Sequence, residues 1–295
     1  MNNKFELPVH SPIVPAELSL EDEFQFNCHK GIACFNQCCK SIDIPLLPYD
    51  IARLRTRLGV NSQEFLHLYT VPFQMDGQGM PGVKMRTLDD STACPFLTDD
   101  GCSVYEDRPT ACRYYALGQM SKRVMNSSTD ETSYFVVKEE HCLGHAESKK
   151  MKIKDYLKEQ GLEQYDEANR GWRQVVLKKK SSGPVIGAPS KRSLQLFFMA
   201  SYDIDGFKSF IQSEGFQKIF KIDESRMQEA IKDDLVSIQL AADFMKMVLF
   251  GESTLVLDAD AASDRGKHRS DAIEARRSKD KDSVFTSDID KILDN

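Results

Sequence analysis

All eight cysteines of this 295-residue chain lie between positions 28 and 142, and four of them fall in one short run, Cys28, Cys34, Cys38 and Cys39. The others are Cys94, Cys102, Cys112 and Cys142, and residues 143–295 contain none. A thiol is a soft donor and, once deprotonated, a strong ligand for zinc or for the irons of an iron–sulfur cluster. The clustering therefore points to a first half ordered by metal ligation and a second half with a different role. Eight cysteines would also make four disulfides, but only in an oxidising compartment. The opening Met-Asn-Asn-Lys-Phe-Glu-Leu-Pro has no apolar stretch fit for a signal peptide. The apolar run Leu194–Ala200 is broken by Gln195 and too short to cross a bilayer. The expectation is a cytoplasmic protein with no membrane partner, in which thiols serve as ligands. A net charge of −6 argues against a nucleic-acid partner, which usually calls for a basic surface.

The chain divides by composition. Residues 1–26 read as an extended N-terminal arm, residues 27–146 as a cysteine-rich metal-binding domain, residues 147–257 as a helical region and residues 258–295 as a disordered charged tail. Within the cysteine segment, Pro48–Gly59 has the apolar stripe Ile51, Leu54 and Leu58 of a short helix, with Asp50 near its start and Gly59 as its stop. A second helix begins at Ser62 with Asn61 or Ser62 as cap. Val83–Leu88 and Tyr134–Lys138 have the character of short strands. Elements this short predict that metal, more than a large core, orders the segment. Further on, Ile153, Leu157, Tyr165, Trp172 and Val176 give helical spacing over 149–180, with Gly161 and Gly171 as candidate interruptions. A loop over 181–189 precedes two or three helices at 190–201, 204–220 and 224–251. The fold class is thus α+β: a small loop-rich metal-bound domain with short helices and strands, then a mainly α-helical region.

The ligand spacing is Cys28-x5-Cys34-x3-Cys38-Cys39, then Cys94-x7-Cys102-x9-Cys112, then Cys142. The paired C-x2-C knuckles of simple zinc ribbons are absent. Adjacent residues such as Cys38 and Cys39 point to different sides of an extended chain and suit two metals, or different irons of one cluster. Asp99-Asp100-Gly101 is a turn signal that folds Cys94 back toward Cys102, and Pro109 restrains the path into Cys112. Arg108 and Arg113 are candidates to balance the negative charge of a thiolate-held centre.

The run Cys34-x3-Cys38-Cys39, then Cys94-Pro-Phe-Leu, then Gly101-Cys102-Ser-Val-Tyr-Glu-x-Arg-Pro-x-x-Cys112-Arg113, resembles the YkgJ-type cysteine-cluster family of zinc- or iron-chelating domains. The resemblance covers about residues 27–145, with wider gaps in the first half than that family's C-x2-C-x2-CC pattern. It implies metal ligation by the cysteines. The family's cysteine pattern is related to that of flagellin lysine methylases, thought to carry an iron–sulfur cluster, and this favours iron over zinc.

Other residues compete for roles. His29, His141 and His145 flank cysteines and are further candidate ligands; His67 falls on the apolar side of its helix and reads as structural. Tyr105, Tyr114 and Tyr115 read as a roof that keeps water from the centre. Asp203 and Asp205 lack the further oxygen donors of a hard-cation loop and read as helix caps. No nucleotide fingerprint, phosphate-cradling loop or nucleophile elbow occurs. The expectation is a metal-binding protein carrying an iron–sulfur cluster of the 4Fe–4S type, with zinc as the alternative metal and a protein partner met by the helical region. A cluster-containing, methyltransferase-like modifying enzyme and a zinc or iron chelating chaperone are the alternatives.

Overall fold

The computed structural model describes residues 12–14, 16–77, 79–123, 130–181, 189–258, 260 and 263. Its elements in chain order begin with β1 (Glu23–Gln25), α1 (Pro48–Leu58), α2 (Ser62–Tyr69), β2 (Thr70–Gln74), β3 (Pro81–Met85), β4 (Leu97–Thr98) and β5 (Gly101–Cys102). There follow α3 (Thr110–Tyr114), β6 (Leu117–Arg123), β7 (Asp130–Val136), β8 (Lys150–Lys152), α4 (Ile153–Glu159) and α5 (Leu162–Ser181). The remainder is α6 (Lys191–Tyr202), α7 (Ile204–Ile211), α8 (Glu214–Ile219), β9 (Phe220–Lys221), α9 (Glu224–Lys232), α10 (Asp234–Phe250) and β10 (Val256–Leu257). Among the described residues the strands form only antiparallel pairs, β1–β8, β2–β3, β4–β5, β6–β7 and β9–β10. The class is α+β, as expected.

Local chemistry sets the first helices. The Leu47 backbone N–H donates to the Asp50 carboxylate (2.9 Å) at the start of α1, and Gly59 ends the helix at φ 68°. Asn61 accepts from the Glu64 N–H (2.9 Å) while Glu64 accepts from the Asn61 N–H (3.0 Å), a reciprocal cap on α2. His67 differs from its expectation: it sits on the exposed face of α2. The strand expected over Val83–Leu88 lies instead at Pro81–Met85, because its partner β2 fixes the register with Phe73 opposite Gly82. A side chain at Gly82 would run into the Phe73 ring at 2.7 Å.

The helical half is more divided than its apolar pattern predicts. Gly161, at φ 66°, does separate α4 from α5, but α5 runs unbroken through Gly171. The missing side chain there has a packing reason: a Cβ on Gly171 would stand 2.7 Å from the Ala242 Cβ, so glycine lets α5 and α10 approach closely. Two continuous helices expected over 204–220 and 224–251 are four. Ser213 caps α8 by accepting from the Phe216 N–H, and Asp233 caps α10 by accepting from the Leu235 N–H (2.7 Å). Both caps interrupt the backbone without interrupting the apolar periodicity, which is why the pattern reads through them. Asp203 caps α7 by accepting from the Gly206 N–H (3.0 Å).

One apolar cluster joins the two halves. It runs from Leu46, Ile51, Leu54, Phe65, Val83, Cys94 and Phe96 to Trp172, Val175, Phe197, Phe207 and Phe244. The expectation that metal more than core orders the cysteine segment is therefore corrected: its helices share a core with α5, α6, α7 and α10. A second cluster gathers Phe24, Phe26, Tyr114, Leu117, Tyr134, Tyr156 and Leu162. The N-terminal residues thread into it, with Ile13 and Leu18 bridging Val137 and Tyr134 and β1 pairing with β8. The tail over 258–295 falls almost wholly outside the described residues, as does the loop over 181–189. Among the described residues no helix is long and apolar enough to cross a membrane.

The close approach at Gly171 makes a direct prediction. Gly171→Val should lower the unfolding free energy in urea by about 1–3 kcal/mol through overpacking, despite valine's better helix propensity than glycine's.

Candidate metal centre

The first cysteine run is a loop wound by successive turns. Phe35 N–H donates to the Ile32 carbonyl, Gln37 N–H to Cys34 and Cys39 N–H to Asn36, each at 2.9–3.0 Å, with Asn36 in the left-handed region at φ 66°. This winding leaves the Cys38 and Cys39 sulfurs 4.0 Å apart. The loop is clipped to the next cysteine segment by Cys94 N–H donating to the Cys39 carbonyl (2.8 Å) and by Thr92 Oγ1 donating to the Lys40 carbonyl (2.9 Å).

The Asp99-Asp100-Gly101 turn closes the β4–β5 hairpin, in which Leu97 faces Cys102 and the Leu97 N–H donates to the Cys94 carbonyl (3.1 Å). Cys94 is thereby folded back beside Cys102, as the turn signal predicts. Gly101 adopts φ 123°, and the Phe35 ring packs beside it. Pro109 leads into α3, which carries Cys112. The Thr110 N–H and Oγ1 both donate to Asp50 Oδ1 (2.8 and 2.6 Å), tying α3 to the first turn of α1.

Cys142 comes in on the far side. A Cβ on Gly144 would meet Phe26 at 2.6 Å and the Asn27 carbonyl at 3.0 Å. Glycine there lets the Asn27 N–H reach the Gly144 carbonyl (3.0 Å) and the Leu143 N–H reach the Cys34 sulfur (3.2 Å).

All eight cysteines are free thiols in this structure. Burial is the main influence on most of them, and it disfavours the thiolate. It raises Cys28 to about 11, aided by Cys38, Cys34 and Cys142 and opposed by Arg108. It also raises Cys94, Cys102 and, most strongly, Cys112, beside which stand Cys94, Asp50 and Cys102. The pair Cys38–Cys39 shares a proton: the Cys39 S–H donated to Cys38 lowers Cys38 to about 7, and the same hydrogen bond holds Cys39 protonated. At neutral pH, then, most of these sulfurs are neutral until a cation displaces their protons.

The other expected site residues separate. Arg108 reaches the Cys28 and Cys102 sulfurs electrostatically, while its side chain donates to the Tyr105 carbonyl (3.1 Å) and Gln160 Oε1 (2.5 Å). Arg113 is buried, and its donors are taken up by the carbonyls of Arg108, Glu106 and Gln160 and by the Tyr165 hydroxyl. It bolts α3 to the head of α5. His141 lines a cavity with the thiols. His145 is committed to the Val137 (2.9 Å) and Gln25 (3.3 Å) carbonyls, and His29 faces Glu147 at 3.4 Å. Tyr105 is 54 % exposed and roofs nothing, and the Tyr114 hydroxyl donates to Asp166 (2.6 Å). Only Tyr115 of the three reaches the thiols.

That cavity, of about 30 Å³, is lined by Phe26, Cys28, Cys34, Cys38, Tyr115 and Cys142, among others. The Tyr115 hydroxyl is buried, without a partner at full hydrogen-bonding geometry, and stands beside Glu139 and Cys142. Among the described residues no three His, Cys, Asp or Glu side chains already form a closed shell for one ion. The donor chemistry nevertheless fits a thiophilic metal: it is all-sulfur and reduced, with the buried Tyr115 hydroxyl beside Cys142 as a donor that a thiolate would accept from. Sequence reasoning did not single out Asp50 as a support of the Cys112 helix. Its only signal was a cap position, and its link to Thr110 is sixty residues long.

Two outcomes follow for solution work. Metal uptake should release protons, and affinity should fall as pH falls, by about tenfold per pH unit for each thiol proton displaced; titration in weakly buffered medium measures this. Asp50 is fully buried, and burial raises its carboxyl from 3.8 to about 6 despite the Thr110 and Leu47 hydrogen bonds. A raised acid stabilises the fold in its neutral form, fully below pH 3.8, and this contribution is lost as pH rises through about 6. Relative to Asp50→Asn, the wild type should lose about 3 kcal/mol across that window. Denaturation of metal-free, reduced protein at pH 4 and pH 7 checks this; a pH-independent difference would show that Asp50 does not titrate there.

No curated protein and no solved structure matches the chain. A family model does: CxxCxxCC, described as "putative zinc- or iron-chelating domain", matches residues 27–143. The match spans less than half of the chain and takes in seven of the cysteines at their full spacing together with Cys142. Over residues 27–143 the chain is thus similar to the CxxCxxCC type of zinc- or iron-chelating domain.

Proposed function

We propose that the cysteine domain holds an iron–sulfur centre of the 4Fe–4S type, ligated by thiolates, and that the helical half is its scaffold. The observation that carries this reading is the convergence of all eight thiols about the Cys38–Cys39 junction. Every cysteine lies on a segment clipped to that loop or within electrostatic reach of its thiols. An all-sulfur donor set larger than four, without a C-x2-C knuckle, favours iron–sulfur over a single tetrahedral zinc. When bound, such a centre supplies one-electron redox chemistry. The residues of the chain do the rest. Phe26 and Ile32 supply the apolar lining beside Cys28, Cys34, Cys38 and Cys142, and Arg108 offsets thiolate charge at Cys28 and Cys102. Asp50 and Arg113 fix the helix that presents Cys112.

Anaerobic purification followed by iron, zinc and acid-labile sulfide analysis tests the proposal. Brown protein with iron and sulfide in equal amounts and broad absorption near ~400 nm is the expected result. Colourless protein with tightly held zinc would overturn the iron–sulfur reading and leave a zinc-chelating domain.

A further inference from the structure

The thiols of Cys38 and Cys39 meet. Their sulfurs stand 4.0 Å apart, and among the described residues theirs is the one hydrogen-bonded contact between two thiols. Adjacency alone would send the two side chains to different sides of an extended chain. The backbone here is instead a single helical turn over Gln37–Cys39, entered through Asn36 at φ 66°. The Cys39 N–H donates to the Asn36 carbonyl and the Lys40 N–H to the Gln37 carbonyl, each at 3.0 Å. The turn is pinned to the next cysteine segment, where the Cys94 N–H donates to the Cys39 carbonyl (2.8 Å) and Thr92 Oγ1 to the Lys40 carbonyl (2.9 Å). The spacing of the two sulfurs thus rests on a braced backbone.

Access suits an ion arriving from solvent. Cys38 is exposed, while Cys39 is half-buried and packs against the large core. One sulfur therefore stands on the water side of the pair and the other on the protein side. The run over 27–42 carries Lys30 and Lys40 and no carboxylate, so it brings no carboxylate oxygen for a hard cation.

Two donors at this spacing select the kind of ion. Among the described residues no three His, Cys, Asp or Glu side chains are grouped to hold one metal. Zinc takes four ligands and a 4Fe–4S cluster four thiolates, so either must draw in sulfurs from other segments. A soft monovalent ion such as cuprous copper is satisfied by two thiolates, the donors that select it. Taking ~2.3 Å for a metal–thiolate bond, sulfurs 4.0 Å apart hold such an ion at a bent angle, and straightening that angle parts them to only ~4.6 Å.

We infer that Cys38 and Cys39 form a two-coordinate site for a soft monovalent cation, cuprous copper, which fills without the other six thiols. Binding is an exchange of ligands with no change of oxidation state. Two S–H protons leave, two copper–sulfur bonds form, and the complex keeps one negative charge beside Lys40. The site goes beyond the proposed iron–sulfur function and does not depend on it. Because a cluster ligated by the pair needs the same sulfurs, cuprous copper and that cluster exclude one another.

The test uses the full chain, reduced and metal-free, titrated anaerobically with cuprous copper against a colorimetric cuprous chelator. The protein should take the first equivalent from the chelator, and X-ray absorption of protein loaded below one equivalent should show two sulfurs around the copper. Cys38→Ser and Cys39→Ser, each with the circular dichroism of the wild type, should lose that tight first equivalent. Copper surrounded by three or four sulfurs in the wild type, or a first equivalent that survives either substitution, would overturn the pair as the site. So would a first equivalent lost equally in Cys28→Ser or Cys142→Ser, because another thiol would then be a ligand. Iron and sulfide analysis of the untreated protein reports on the proposed function separately, and its failure leaves the copper titration to stand or fall alone.

Discussion

The carboxylate of Asp50 is the point on which the cysteine domain is hung. It lies in the first turn of α1 with no exposed surface, and it accepts three hydrogen bonds: from the Leu47 N–H, the Thr110 N–H and the Thr110 hydroxyl. A buried carboxyl is tolerated only when its oxygens are satisfied, so this one group fixes two helix starts at once. One belongs to α1, whose Ile51 and Leu54 are sealed in the core shared with the helical half. The other belongs to α3, which presents Cys112. Through Asp50 the cysteine loops are positioned by a hydrophobic core that includes Cys94 and packs against Cys39 and Cys102.

Around that anchor, the arginine pair divides its work. Arg113 stands over the Tyr165 ring, 4.2 Å from its centroid, and engages three carbonyls, so its charge supports architecture. Arg108 keeps its charge within reach of Cys28 and Cys102. Burial holds Cys28, Cys94, Cys102 and Cys112 toward their neutral forms, and the hydrogen bond to Cys38 keeps Cys39 protonated. Under the proposed function, thiols held neutral in this way give up protons to the metal they bind, so metal affinity and pH are coupled through the burial that the fold imposes.

The α+β class, the α1 stripe with its Gly59 stop, the Asn61 cap and the Asp99-Asp100-Gly101 hairpin were legible because each is a local signal, carried by residues within one or two turns of each other. The breaks at Ser213 and Asp233 were not, since both caps sit within an unbroken apolar rhythm. Gly171 was misread as an interruption because a glycine in a helix looks the same whether it ends the helix or admits a neighbour; Ala242, seventy residues on, decides which. His67 went wrong for a related reason: the apolar side of an eight-residue helix is ill-defined by periodicity, and the core took the Phe65 face.

For the site, the cysteine positions alone singled out the candidate soft-metal ligands, because a thiolate is a strong donor to zinc and to the irons of an iron–sulfur cluster. The adjacency of Cys38 and Cys39 further determined that the sulfurs serve two directions. What only the tertiary structure decided is which sulfur stands with which. Cys142 reaches the cavity lined by Cys28 and Cys34 because Gly144 lets its loop press against Phe26, and Cys112 is held in place by the hydrogen bonds from Thr110 to Asp50 across sixty residues. Such pairings depend on close backbone approach and buried hydrogen bonds between distant segments, and neither leaves a periodic trace in sequence.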